Sequence, residues 1–164
     1  MMITIGSDHA GLKLKNIIIE HLKDIYYEVN DVGTYTEDSC DYPDYGHLVA
    51  KSVADNKCDF GIVVCGSGNG INMAVNKWSE VRSALCWNSE IAYMARLHND
   101  ANVLALPGRF IEPDEAISAV DNFMNTKFEG GRHANRVNKI NNGISSVNDF
   151  KEYKRMFVTE MRPI

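Results

Sequence analysis

Two short segments place reactive side chains between glycines directly after an apolar run. The first is Gly6-Ser7-Asp8-His9-Ala10-Gly11, which supplies a carboxylate and an imidazole. The second is Cys65-Gly66-Ser67-Gly68-Asn69-Gly70, in which a thiol precedes three glycines at alternate positions. Closely spaced glycines let backbone amides converge on one anion, and a thiol near a helix N-terminus tends toward the thiolate. The two segments therefore predict a site that combines a base with an anion cradle.

The second segment does not match three well-known loops. A Walker loop needs Gly-Lys-Ser/Thr, and the first lysine after Gly70 is Lys77. A dinucleotide loop needs glycine at position 71, and a cysteine phosphatase loop needs arginine there, but the residue is Ile71. A further alternative is a buried cysteine ahead of a turn with no chemical role, which is common for free cysteines.

Later segments offer a second set of candidates. Arg132 and Arg136 are four residues apart, so in a helix both guanidinium groups would point the same way and could chelate a phosphate. Arg109 follows a predicted strand end. His98 and Asn99 close a predicted helix. The alternatives are solvated surface arginines and a histidine that only interacts with a helix C-terminus.

Composition restricts the class of protein. The chain has 164 residues, of which 45% are apolar, and this is typical of one globular domain. Its 17 basic and 22 acidic residues give a net charge of −5, which argues against a nucleic-acid binder. The four cysteines lack a C-x-x-C pair or zinc-type spacing, so we expect no metal site and no cofactor. The absence of a long apolar run and of a signal peptide predicts a reduced, cytoplasmic protein with no membrane partner.

Apolar runs alternate with helical patterns along the chain. Strands are predicted at 3–5, 28–32, 60–64, 82–87 and 103–106, with helices between them, and Ser89 is predicted as the N-cap of the fourth helix. This alternation predicts an α/β fold with a parallel sheet wrapped by helices. Ligands bind at the carboxyl ends of such strands, which is where both glycine segments fall. The domain is expected to cover 1–144. An extension at 145–164, with a short helix near Phe150 to Phe157, is expected to pack on the body or on a partner.

Six motifs together resemble the ribose-5-phosphate isomerase type B family, which also includes allose- and galactose-phosphate isomerases. The likeness runs from about residue 2 to 143 and keeps the family's order and spacing. The motifs are Gly6-Ser7-Asp8-His9-Ala10-Gly11, Asp41-Tyr42-Pro43, Cys65-Gly66-Ser67-Gly68-Asn69-Gly70, Ala74-Val75-Asn76-Lys77, His98-Asn99-Asp100-Ala101-Asn102-Val103-Leu104 and Glu129-Gly130-Gly131-Arg132-His133.

The resemblance implies a Rossmann-like three-layer α/β/α sandwich with a five-stranded parallel sheet, in a homodimer or a dimer of dimers with shared sites. It implies that Cys65 is the base that moves a proton between C1 and C2, and that His98 opens the furanose ring with Asp8 nearby. The phosphate would be held by His9, Arg132 and Arg136. The sugar site would be completed by Asn99, Arg109 and the backbone of Gly66, Ser67, Gly68, Asn69 and Gly70.

Two residues depart from the family pattern. Ser67 stands where many members have threonine, and its hydroxyl keeps the expected role in handling the O1 proton. Asn69 stands where an apolar residue is common, and it either alters the sugar preference or faces away.

The expected reaction is the interconversion of ribose 5-phosphate and ribulose 5-phosphate through a cis-enediolate. Two alternatives stay open: an isomerase of a six-carbon sugar phosphate (allose or galactose 6-phosphate), and a non-catalytic module that binds sugar phosphates. Retention of Asp8, Cys65, Ser67 and His98 together argues against the binding module, because binding alone needs no thiol base. The expected partners are a sugar phosphate and further copies of the chain.

Overall fold

Five short strands form one parallel sheet in the computed structural model, which describes residues 1–141 and residue 155. The strands are β1 (Met2–Ser7), β2 (Glu28–Asp31), β3 (Phe60–Cys65), β4 (Ser83–Leu85) and β5 (Val103–Pro107). Their order across the sheet is β2-β1-β3-β5-β4, which makes β3 the central strand. The register pairs Val64 with Ser7 on one side and Cys65 with Pro107 on the other. The ends of β1, β3 and β5 therefore meet at one edge.

Helices cover both faces of this sheet. They are α1 (Leu12–Asp24), α2 (Tyr42–Ala54), α3 (Asn69–Val75), α4 (Ser89–Asn99), α5 (Pro113–Asn125) and α6 (Arg132–Asn141). Side chains of β3 alternate between the two faces, as successive residues of a strand must. Ile62 and Val64 pack with α1, α4 and α5, whereas Val63 and Cys65 pack with α2 and α3. The predicted three-layer α/β/α sandwich with five parallel strands is confirmed.

The predicted N-cap of α4 was wrong by one residue. Asn88 is the cap, because its backbone is extended and its Oδ1 accepts the N–H of Ile91 at 2.8 Å. Ser89 is instead the first helical residue, and its N–H donates to the carboxylate of Glu115. That bond and a hydrogen bond donated by the hydroxyl of Ser89 lower the pKa of Glu115 from its ordinary value, since both interactions favour the charged carboxylate.

Further predictions concern the arginine pair, the cysteines, membrane spans and the C-terminal extension. Arg132 and Arg136 do lie in one helix, α6. All four cysteines are free thiols. None of the helices described here is both long and apolar enough to cross a bilayer. The domain boundary at 144 falls outside the described residues, and so does the extension at 145–164 with its short helix, apart from the single residue 155.

Candidate active site

The loop after β3 turns tightly beneath the neighbouring β5 connection. Cys65 is the last residue of β3 and is 3% exposed. Its carbonyl oxygen accepts the N–H of Gly68 at 3.3 Å and the N–H of Gly108 at 2.9 Å. Gly68 has φ +73°, and a Cβ there would lie 3.1 Å from the carbonyl carbon of Leu106. Glycine is therefore required at position 68, because any side chain would meet both strain and backbone.

Ser67 and Asn69 complete the exposed part of this loop. Ser67 is exposed, and its Oγ accepts the N–H of Asn69 at 3.3 Å. Asn69 is also exposed and begins α3. The sequence departure at Asn69 thus faces outward at the first residue of a helix, where no described contact involves its side chain.

The turn after β1 places a carboxylate beside the end of β3. Asp8 is buried, its N–H donates to the carbonyl oxygen of Val64 at 3.2 Å, and its Oδ1 accepts the N–H of Gly11 at 3.0 Å. A Cβ at Gly11 would lie 2.6 Å from the Val64 oxygen, so this close approach also requires glycine. The two glycine segments meet at the carboxyl edge of the sheet, as predicted.

One ring nitrogen of His9 accepts a hydrogen bond from within the protein. Its Nδ1 accepts the backbone N–H of Cys40 at 3.2 Å, and the Cys40 Sγ lies 4.0 Å away. A nitrogen that accepts carries no hydrogen, so the neutral ring has its hydrogen on Nε2. His9 therefore offers a donor to a ligand. Cys40 was missed as a contact of His9 because the bond comes from its backbone, which every non-proline residue could supply.

Arg109 and Tyr42 border the same loop. The N–H of Arg109 donates to the carbonyl oxygen of Gly66 at 3.0 Å. Its guanidinium carbon is 3.6 Å from the position that a Cβ on Gly66 would occupy, so the cation lies against the loop. The ring of Tyr42, at the start of α2, lies against Gly70 in the same way. Tyr42 belongs to one of the six motifs of the resemblance, but no place beside this loop was predicted for it from the sequence.

His98 belongs to a second group of side chains. Its ring stacks on that of His133, with centroids 4.1 Å apart and planes 3° from parallel. One carboxylate oxygen of Glu129 is 3.5 Å from Nε2 of His98 and 3.4 Å from Nε2 of His133. The Nε–H of Arg132 donates to Nε2 of His133 at 3.3 Å. Sequence reasoning missed Glu129 and His133 as contacts of His98, because nothing in their spacing relates them to it.

Several charges act on the buried His133. Burial lowers its pKa from the ordinary value of 6.5 by penalising the charged ring, and the neighbouring His98, Arg132 and Arg136 lower it further. The carboxylate of Glu129 opposes this by raising it. The net direction is downward, so the neutral form of His133 is favoured at neutral pH.

The two histidines and Glu129 are also residues that ligate metals. Their ligand atoms lie within 4.8 Å of one another. However, a ring nitrogen binds a metal in the plane of its ring, and two parallel stacked rings cannot both aim at one ion. Nε2 of His133 also accepts a hydrogen bond from Arg132. The observed arrangement therefore suits stacking rather than shared coordination, and the expectation of no metal site stays a prediction.

The structure divides the predicted site residues into two groups at opposite edges of the sheet. The carboxyl-edge group holds Asp8, His9, Cys65, Gly66, Ser67, Gly68, Asn69, Gly70 and Arg109. The amino-edge group holds His98, Asn99, Arg132 and Arg136, because α4 runs back from the carboxyl edge toward the start of β5. The N–H of Glu129 donates to the carbonyl oxygen of Leu97, which anchors the α6 side of this group. The 11 residues of α4 span about 16 Å, so one chain does not bring the two groups together.

These features define a parallel α/β protein with a ligand site at the carboxyl edge of its sheet. The family model described as Ribose/Galactose Isomerase matches residues 3–140. The chain belongs to the ribose/galactose isomerase family, as the motifs predicted.

Named relatives and solved structures agree with this assignment. The chain is 47% identical over 139 residues to a probable ribose-5-phosphate isomerase B of Mycoplasma pneumoniae, covering 84% of this chain and 91% of that one. It is 41% identical over 138 residues to ribose-5-phosphate isomerase B of Escherichia coli, covering 84% and 93%. The crystal structure of ribose-5-phosphate isomerase B from Mycoplasma genitalium with bound ribulose-5-phosphate superposes with a TM-score of 0.81, at 47% identity and with 85% and 93% coverage.

Proposed function

We propose that the chain interconverts ribose 5-phosphate and ribulose 5-phosphate. The observation that carries the proposal is the thiol of Cys65 at the end of the central strand, under a glycine loop that Arg109 borders. Similarity to chains named as ribose-5-phosphate isomerases, one of them with ribulose-5-phosphate bound, supports the pentose over a six-carbon sugar. A thiol in this loop supports an enzyme over a binding module.

In this proposal Cys65 acts as the thiolate base on the open-chain sugar. The thiolate takes the proton from C2 of the aldose, and that electron pair forms the C1–C2 double bond of the enediolate while negative charge passes to O1. The hydroxyl of Ser67 moves a proton from O2 to O1, and the thiol returns its proton to C1 to give the ketose. General base catalysis of this kind contributes about 10²–10⁴ in rate.

The glycine loop supplies the second requirement, stabilisation of the enediolate. Backbone amides near Gly66 and Gly70 are fixed before the substrate arrives, because the loop is held by the carbonyl of Cys65 and by Arg109. Preorganised donors aimed at developing negative charge are worth about 10²–10³ each in comparable enzymes. The guanidinium of Arg109 adds a positive charge beside the same oxygens.

Ring opening requires a group from the other edge of the sheet. Ribose 5-phosphate is mainly a closed furanose, and His98 is the proposed acid that protonates its ring oxygen. Since His98 and Cys65 face opposite edges of one chain, we infer that a second copy supplies His98 to each site. Arg132 and Arg136 of that copy, with Asn99 beside them, would hold the phosphate together with the Nε2–H of His9.

A cytoplasmic location is part of the proposal. It is supported by four free thiols, since a reducing compartment keeps cysteines in that state.

The proposal is tested with Cys65→Ala and a matched control, Cys58→Ala. We expect Cys65→Ala to lower kcat on ribose 5-phosphate by about 10²-fold or more, because the base is lost. Cys58 precedes β3 at the amino edge, away from the glycine loop, so its variant should keep the wild-type rate. Rates are measured by following ribulose 5-phosphate formation, and thermal unfolding checks that both variants fold. A fully active Cys65→Ala protein would refute the mechanism.

A further inference from the structure

His98 does not stand alone at the end of α4. Its side chain is 26% exposed, whereas that of His133 beneath it is only 6% exposed. The two rings are parallel within 3° at a centroid distance of 4.1 Å. One face of His98 is therefore covered by a ring that the fold already fixes, and the resemblance assigns no role to that ring.

The hydrogen bond from Arg132 assigns the tautomer of His133. Nε2 of His133 accepts the Nε–H of Arg132, so this nitrogen carries no hydrogen and the ring is neutral with its hydrogen on Nδ1. Because Nε2 of His133 has no hydrogen to give, it cannot donate to the carboxylate of Glu129. The same carboxylate oxygen lies 3.5 Å from Nε2 of His98, which can donate to it.

The charged groups around His133 favour its neutral form. His133 faces Arg132 and Arg136 of its own helix, His98 of α4, and Glu129 of the preceding segment. Two arginines beside His133 oppose a further positive charge on it. The carboxylate of Glu129 is then left to accept a hydrogen bond from Nε2 of His98.

We propose that His133 is a positioning residue for His98, a neutral ring that fixes the plane of His98 and leaves Glu129 to pair with it. This inference rests on the proposed function, in which His98 protonates the ring oxygen. General acid catalysis depends on the donor staying within hydrogen-bond reach of its target. Without the stacked ring of His133, the ring of His98 would rotate away from the sugar ring oxygen.

Two substitutions at position 133 separate the effect of ring stacking from the effect of the hydrogen bond that His133 accepts. His133→Ala removes the ring, whereas His133→Phe keeps a flat ring, and both remove the acceptor for Arg132. For His133→Ala we expect kcat on ribose 5-phosphate to fall about tenfold or more, with KM changed by less than about threefold. His133→Phe should recover most of that loss.

Erythrose 4-phosphate provides the substrate control, because it cannot close a normal furanose ring. Its turnover should be nearly the same in wild type, His133→Ala and His133→Phe. Equal losses on both substrates, or a His133→Phe protein as slow as His133→Ala, would overturn the inference.

A spectroscopic measurement on the full wild-type chain does not depend on activity. In ¹⁵N-histidine-labelled protein at neutral pH, we expect His133, assigned by comparison with His133→Phe, to show one protonated nitrogen, Nδ1. A doubly protonated His133, or one protonated at Nε2, would overturn the inference. Failure of the wild-type chain to convert ribose 5-phosphate would instead refute the proposed function, and the ring assignment would still be decided by this spectrum.

Discussion

His9 and His133 carry their hydrogens on different ring nitrogens, and each arrangement is set by one donor. The backbone N–H of Cys40 occupies Nδ1 of His9, which leaves Nε2–H free for a ligand. The Nε–H of Arg132 donates to Nε2 of His133, which keeps that ring neutral and fixes its orientation. The same side chain thus offers an Nε2–H in one place and a stacking face in the other, because the neighbouring donor decides the tautomer.

His133 also makes stability depend on pH. In the unfolded chain its pKa is about 6.5, and folding lowers it, so the unfolded chain takes up this proton first as pH falls. The free energy of unfolding should therefore decline as pH drops below about 6.5, until the folded protein also binds the proton. His133→Phe should flatten this part of the profile, as measured by urea unfolding at a series of pH values. Superimposable slopes for wild type and His133→Phe would contradict the prediction.

At the scale of elements, sequence patterns predicted the strands and helices that are determined by residues close together along the chain. β3 was predicted from a continuous apolar run, because a strand covered on both faces has no polar side. The cap of α4 was misassigned because Asn88 and Ser89 can both cap a helix. The choice depends on the extended backbone of Asn88 and on Glu115, which binds the N–H of Ser89 from another helix.

Site residues at strand ends could be found from the sequence, whereas those brought together by tertiary packing could not. Asp8, Cys65 and Arg109 lie at strand ends or just beyond them, and all parallel strands end at the same edge, so their proximity follows from the fold class. The stack of His98 on His133 brings α4 and α6 together through tertiary packing. No local pattern encodes that contact, and the sequence therefore indicated His98 without its partner.

Two glycines with nearly equal positive φ values allow a test of the loop after β3. Gly68 and Gly130 have φ values of +73° and +72°, but only Gly68 is crowded, by Leu85, Leu106 and Pro107. Alanine should cost about 1–2 kcal/mol of stability at either position through backbone strain. Gly68→Ala should cost about 1–3 kcal/mol more, because its Cβ meets the β5 backbone. Urea unfolding measures the difference in stability between the two variants. Equal losses of stability would show that the loop after β3 can rearrange to accommodate the Cβ at position 68.

At the scale of the whole molecule, each chain presents half of the proposed site at each edge of its sheet. The carboxyl edge holds the proposed base, Cys65, and the glycine loop, and the amino edge holds His98 and the two arginines of α6. Exposed apolar side chains lie on segments next to the carboxyl edge, including Met73, Trp87 and Phe110, which are 64%, 56% and 74% exposed. Such side chains are suited to contact with another chain. A chain of net charge −5 also needs its arginines concentrated to hold a dianionic phosphate.

The shared site predicts recovery of activity from two inactive proteins. Cys65→Ala lacks the base and Arg136→Ala lacks part of the phosphate clamp, so each alone should be nearly inactive. If the two residues of one site come from different chains, a hybrid dimer contains one site with both native residues and one site with neither. Random exchange should then restore about a quarter of wild-type activity, since half of the dimers are hybrids with one of two sites intact.

The control for this experiment pairs two lesions in the same half of the site. Arg132→Ala mixed with Arg136→Ala should recover nothing, because every site of the hybrid still lacks one arginine. Mass spectrometry with one isotopically labelled variant confirms that chains have exchanged. Complete exchange between Cys65→Ala and Arg136→Ala without recovered turnover would show that both residues serve one chain's own site. The sheet would then have to bring its two edges within reach of one sugar phosphate, which the length of α4 opposes.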